Sequence, residues 1–307
     1  MRLLSFALAI MCSISALAQE KVLLRLNLNP GDEHVAIYES SSRTEQSMMG
    51  SEQSAEESQM VRIHYTCIDT TGGIFKMKMD VERVTYENNG MLDGLSYDSD
   101  DPDEDMEKYV TPEGDMVEID LTLSLAENGK IEAISGTDAL ADASIEHVFG
   151  FEEEDLETLL EQLKESFTSD AFTKEYSPCL VEFPEHEIGI GDSWTEIVSA
   201  TTLTPLTVEM TYTVKEISET EVVLQARGQI RTPSDAEPTD YSGFEMKQLL
   251  SGSKAGTIKI ERATGLVLSA EFEQSLSGKI EFLANEYFPE GQSFPLDKFD
   301  SMNVTTE

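Results

Sequence analysis

The sequence predicts a mainly β protein: a curved antiparallel sheet or open barrel built from two similar halves, with an amphipathic helix between them. Three observations predict this. Apolar residues alternate in short runs separated by Gly, Asn and Asp turns. The order of those turns before residue 136 recurs after residue 184. Between the two stretches the apolar period lengthens to that of a helix.

The first strand is read from Val22, Leu24, Leu26 and Leu28, which share one parity and end at the turn Asn29-Pro30-Gly31-Asp32. Val35 and Ile37 open a second strand that fades into residues 41–59, rich in Ser, Glu and Gln. That stretch reads as a solvated loop or as the twisted end of a long hairpin. Met60 to Cys67 and Phe75 to Tyr86 alternate around Asp69-Thr70-Thr71-Gly72-Gly73, a hairpin. Residues 98–118 are dominated by acids and read as an exposed loop. Val117 to Leu125 and Ile131 to Ile134 form a second hairpin around Asn128-Gly129.

Beyond Gly136, Leu156, Leu159, Leu160, Leu163 and Phe167 fall at helical spacing. Glu152 to Asp155 stand at the start, where the helix dipole favours negative charge. A shorter helix is expected around Ala139 to Val148. Strands resume at Thr195–Ser199, Thr207–Ile217, Val222–Arg231, Gly256–Glu261 and Leu266–Ile280. The organisation expected is therefore a signal peptide at 1–18, a first β half at 19–136, a helical insert at 137–183, a second β half at 184–288 and a tail at 289–307.

Composition bounds the function. The chain has 307 residues, 21 basic against 60 acidic, and a formal net charge of −39. With 39% hydrophobic residues it is too apolar for a disordered acidic tail, and its charge opposes nucleic acid, which is bound through Lys and Arg. Arg2, the apolar run from Leu3 to Met11 and Ala16-Leu17-Ala18 read as a secretory signal cut before Gln19. The expected location is periplasmic or extracellular. No later run is long and apolar enough for a membrane span. In such a compartment Cys67 and Cys179 have two readings, a disulfide or two separately buried thiols.

The halves correspond motif by motif. Asn29-Pro30-Gly31-Asp32 answers Gly189-Ile190-Gly191-Asp192, and the Gly129 turn answers Thr264-Gly265. Leu28-Asn29-Pro30-Gly31, Tyr97-Asp98-Ser99, Asn128-Gly129-Lys130-Ile131, Ser135-Gly136, Gly191-Asp192-Ser193-Trp194 and Thr264-Gly265-Leu266 together resemble a family of exported bacterial proteins, domain of unknown function 6263. The resemblance implies an exported β-rich domain and carries over no catalytic residue.

Candidate chemistry is sparse. Ser193 beside Asp192 lacks a placed histidine base and a Gly-x-Ser-x-Gly elbow. Gly191, Asp192, Ser193 and Trp194 are therefore read as a structural turn followed by a core anchor. Asp98, Asp100, Asp101, Asp103 and Asp105 depart from the calcium loop at Pro102, so weak calcium binding is the most they imply. His34, His64, His147 and His186 lack zinc spacing, and the stretch Ser251 to Gly256 is not a phosphate loop. Neither metal, cofactor nor catalytic residue is expected. The reading is a non-enzymatic β-domain that binds a lipid-like ligand or a partner segment between the sheet and the leucines at 156–167. The alternative is an acidic envelope or secreted interaction module with a filled core.

Overall fold

The structure, a computed structural model, describes residues 20–48, 51–90, 94–101, 117, 119–146, 181–201, 205–241, 244–285 and 288–307. A short strand β1 (Lys21–Val22) precedes β2 (Glu33–Met48), β3 (Ser51–Asp69), β4 (Ile74–Asn89), β5 (Leu95–Asp98), β6 (Leu121–Ala126) and β7 (Ile131–Ser135). Helix α1 (Thr137–Glu146) follows. The second half holds β8 (Ile188–Gly189), β9 (Ser193–Thr201), β10 (Pro205–Ile217), β11 (Glu221–Arg231), β12 (Thr239–Tyr241), β13 (Phe244–Glu261), β14 (Val267–Phe282) and β15 (Gln292–Thr306).

Thirteen strands form one antiparallel sheet in the order β7-β6-β4-β3-β2-β15-β14-β13-β11-β10-β9, with β5 beside β4 and β12 beside β13. Among the described residues no pairing joins β7 to β9, so the sheet is open. Each half is a meander, as expected where consecutive strands are linked by tight turns. Period-two alternation places one parity of each strand on the inward face. Val61, Ile63, Tyr65 and Cys67 of β3 are buried, as are Val222, Leu224 and Ala226 of β11.

The last segment corrects the reading of residues 289–307 as a tail. β15 lies in the middle of the sheet, paired with β14 from Gln292 to Thr305 and with β2 from Leu296 to Thr306. Pro295 lies just outside the stretch paired with β2, where its missing N–H removes no bond to that neighbour. The Ser/Glu/Gln-rich residues of 41–59 are the ends of β2 and β3, the hairpin alternative. Val22 to Leu28 is extended, but only Lys21–Val22 is strand. Leu26 N–H donates to Glu127 O and Asn27 N–H to Thr264 O, so the segment bonds to turns rather than to a neighbouring strand. The strand expected from Val117 begins at Leu121, and the one expected from Gly256 begins at Phe244.

The repeat is visible atom by atom. Gly31 (φ 94°) and Gly191 (φ 91°) both occupy the left-handed region. Asp32 Oδ2 accepts from Asn29 N–H at 2.7 Å, and Asp192 Oδ2 from Gly189 N–H at 2.9 Å. Gly31 N–H then donates to Cys67 O and Gly191 N–H to Val214 O. The leading segments cross over: Asn27 bonds the Thr264 turn of the second half, whereas Phe183 N–H donates to Asn128 O of the first. A Cβ on Gly129 would stand 2.6 Å from Val181 O, so glycine permits this docking.

Candidate functional site

Register across the inward face builds the site. Val84, Val61, Tyr38, Val304, Ala270, Ile258, Leu224 and Val214 lie side by side on eight strands and belong to the apolar interior. Four residues further along β15, the row is polar: Asn88, Glu57, Ser42, Asp300, Gln274 and Lys254. Beyond it comes an apolar stripe of Leu206, Ile230, Leu250, Leu276 and Leu296, from five successive strands of the sheet. The partly buried apolar side chains packed on that stripe, Val208 and Ile280, come from the same sheet.

A cleft of about 340 Å³ opens over the polar row, lined by Ser40, Gln59, Tyr86, Phe272, Lys298 and Met302 with Lys254, Gln274 and Asp300. Gln274 Nε2 donates to Asp300 Oδ2 at 2.6 Å, and Lys298 Nζ stands 3.4 Å from Asp300 Oδ1. Lys254 Nζ lies 4.8 Å from the centre of the Phe272 ring, a cation–π contact. Asn88 Nδ2 donates to Glu57 Oε1 and Tyr86 Oη, while Asn88 Oδ1 is buried without a protein partner. By contrast the space bounded by Leu26, Tyr38, Tyr65, Phe183, Leu266 and Val304 measures about 50 Å³. That is far below the ~300 Å³ at which small-molecule pockets begin. On the opposite face a trough of about 770 Å³ is floored by Ser41, Ser253, Ser275 and Ser301 beside Phe299, with Glu56, Glu87 and Glu273 around it.

The residues singled out from sequence are placed as follows. Leu156, Leu159, Leu160, Leu163 and Phe167 lie outside the described residues, as do Cys179 and residues 1–18. Cys67 is buried, which pushes its thiol pKa up. Gly191 and Asp192 form the turn above, and Trp194 donates through Nε1 to Glu182 O and stacks on Tyr212 at 5.4 Å. Among the described residues no hydrogen bond joins Ser193 to a histidine. Asp98 and Asp100 turn to Arg83, at 2.7 and 3.2 Å, while Asp103 and Asp105 lie outside the described residues. No three His, Cys, Asp or Glu side chains among the described residues are grouped to hold a metal. Sequence reasoning missed Lys254, Lys298, Glu57 and Asp300. The signal available was the alternation Phe294, Leu296, Lys298, Asp300, Met302, Val304.

Two half-buried titratable groups flank this face. Glu196 stands opposite Met210 at the end of the polar row, and burial, then Glu182, pushes its pKa up to about 7; its Oε1 has no hydrogen-bond partner. His34 stacks on Tyr65 at 5.0 Å, and burial, then His64, lowers its pKa to about 4. From pH 4.5 to 7 the folded state holds the Glu196 proton that the unfolded state has lost, so this group's contribution to stability falls as pH rises. From pH 6.5 down to 4 the unfolded state gains a His34 proton that the folded state refuses, so that contribution falls as pH drops. The two slopes oppose each other between pH 4.5 and 6.5. Urea melts across pH should show Glu196→Gln more stable than the parent by on the order of 3 kcal/mol at pH 8 and equal near pH 4. His34→Phe should show its relative gain at pH 4. Parallel pH curves for parent and variants would refute both assignments.

Residues 72–267 match the family described as Family of unknown function (DUF6263). No curated protein matches. Among solved structures, one titled for lipid–protein interactions in lipovitellin aligns at 11% identity and TM-score 0.46, covering 92% of this chain and 25% of that one. This chain thus spans about a quarter of that neighbour's length. An outer membrane channel from Pseudomonas putida F1 aligns at 9% identity and TM-score 0.26, covering 92% and 97% of the two chains. Pseudomonas aeruginosa OpdQ aligns at 6% and 0.21, covering 90% and 99%. Likenesses this distant carry no argument about ligand or location. The match over residues 72–267 does decide membership: the chain belongs to the family of unknown function DUF6263.

Proposed function

We propose that this is an exported, non-enzymatic β-domain that binds an apolar ligand, or an apolar segment of a partner, on the inward face of its open sheet. The observation that carries the reading is the stripe of Leu206, Ile230, Leu250, Leu276 and Leu296, a buried apolar cluster that lies beyond the polar row and meets the main core at Val208. The stripe is a linear apolar cluster with its side chains only 3–7% exposed, so an apolar ligand would bind there by taking the place of what now covers it. The 50 Å³ space is no alternative site, since it has room for only one or two waters.

That small interior favours the competing reading, an acidic interaction module with a filled core. The two are separated by native mass spectrometry and solvent extraction of protein purified without detergent. Co-purifying lipid, or saturable binding of a fluorescent fatty-acid analogue weakened about tenfold by Leu276→Ala, is the expected result. An intact, folded protein that binds no such probe would leave the interaction module as the function. Export is tested separately, by N-terminal sequencing of protein from the cell envelope or medium. The expected mature terminus is Gln19.

A further inference from the structure

We propose that the cleft over the polar row is a second binding site, independent of the apolar stripe, for a neutral pyranose sugar unit whose hydroxyls are held by Ser40, Ser42, Gln59, Glu57 and Asp300. The cleft exists because β2 places its shortest inward side chains at the centre of two rows of long ones. In the first row Tyr86, Gln59, Ser40, Met302 and Phe272 stand side by side on five successive strands. In the next, Glu57, Ser42, Asp300 and Gln274 do the same on four. Serine at both central positions leaves the space of about 340 Å³ between their longer neighbours. That volume is at the lower end of the ~300–1,000 Å³ of small-molecule sites, which suits a single sugar ring.

Charge selects a ligand without any. The lining holds two ammonium groups and two carboxylates, and each is already engaged within the protein. Lys298 Nζ stands 3.4 Å from Asp300 Oδ1, Lys254 lies over the Phe272 ring, Gln274 donates to Asp300 and Asn88 donates to Glu57. An anion would press against the acids and a cation against the lysines, so a neutral molecule enters at the least cost. What the cleft does offer is hydrogen bonding of mixed sense. Among the described residues no hydrogen bond engages the Ser40 or Ser42 hydroxyl or the Gln59 amide, although all three line the space. Asp300 and Glu57 keep acceptor capacity beyond their protein partners, since each carboxylate oxygen carries two lone pairs. The Asn88 side-chain carbonyl, beside Glu57 in the row, is a buried acceptor with no protein partner. A hydroxyl donates and accepts at once, so a ring of hydroxyls satisfies this set where a purely donating or purely accepting group would not. Tyr86 and Met302 supply an apolar flank for the C–H face of the ring.

The test is saturation-transfer NMR followed by calorimetric titration of the full chain with glucose, galactose, mannose and N-acetylglucosamine, each as the free sugar and as a trisaccharide. The matching uronic acids and amino sugars are the charged controls. At least one neutral probe should saturate with a Kd of about 1 mM or tighter, and its charged counterparts should bind at least about tenfold more weakly. A trisaccharide that outcompetes its free sugar would mark a polymeric glycan as the source, and equal affinities a free sugar. Gln59→Leu should weaken binding about tenfold, and Ser42→Phe, which fills the space, should abolish it. Both positions are partly exposed, and Gln59→Leu decides the matter should Ser42→Phe fail to fold. Neither variant should alter the affinity for the fluorescent fatty-acid analogue, which separates this site from the apolar one. No saturation by any neutral probe at about 10 mM, charged controls that bind as tightly, or sugar affinity unchanged in Gln59→Leu would overturn the proposal.

Discussion

A chain ending at Pro289 is expected to lose cooperative folding. The deletion takes away β15, which supplies the pairing between the two halves of the sheet, to β14 on one side and β2 on the other. It also removes Phe294, Leu296 and Val304, exposed by only 2–7%. Each such loss costs about 1–5 kcal/mol through burial and cavity terms alone. Together with two strands left holding unpaired edges, the sum is comparable to the ~5–15 kcal/mol that a domain has in total. Far-UV circular dichroism and limited proteolysis should report loss of the unfolding transition. A truncated chain that melted cooperatively at the parental temperature would show that the halves stand independently and that the seam is dispensable.

The second large effect is expected at Gly252. This residue stands on the inward face of β13 opposite Leu276, where a Cβ would collide with the backbone carbonyl of Ser275 on β14. Gly278 opposite Leu250 has the same relation to Leu249 O. Two glycines on adjacent strands let the backbones approach closely and the sheet coil there. Because the clash is with backbone, no rotamer change relieves it. Gly252→Val should cost more than about 3 kcal/mol in a urea melt, or prevent folding. Ser253→Val, one residue on and facing the other side, is the control and should change stability by less than about 1 kcal/mol. Similar costs at the two positions would mean that curvature is not set by these glycines.

Much of this architecture was legible because a pleated strand writes itself as alternation. Val61, Ile63, Tyr65 and Cys67 announced β3, and the Gly31 and Gly191 turns announced the repeat. β15 was missed because Pro289 and Pro295 punctuate its approach and polar residues fill alternate positions. Its inward residues, Phe294, Leu296, Met302 and Val304, nonetheless keep one parity. The polar cleft was illegible for a different reason. Glu57, Asp300 and Lys254 come from three distant parts of the chain, and only strand register, which no local pattern encodes, sets them in one row. The extended run at Leu24–Leu28 shows the converse: alternation reports which side is buried, not whether a neighbouring strand supplies the hydrogen bonds.

The crossing of the leading arms sets a timetable for biogenesis. Asn27 leaves the ribosome well before its partners, for it bonds the carbonyl of Ala263, 236 positions downstream, as well as Thr264. At ~5–20 residues per second, roughly 10–50 s of synthesis separate these partners. Throughout that interval Leu24, Leu26 and Leu28 have no final resting place, and contacts of such range close slowly even after release. The apolar side of the arm therefore stays uncovered until the second half has been made, and a chain released early would keep it so.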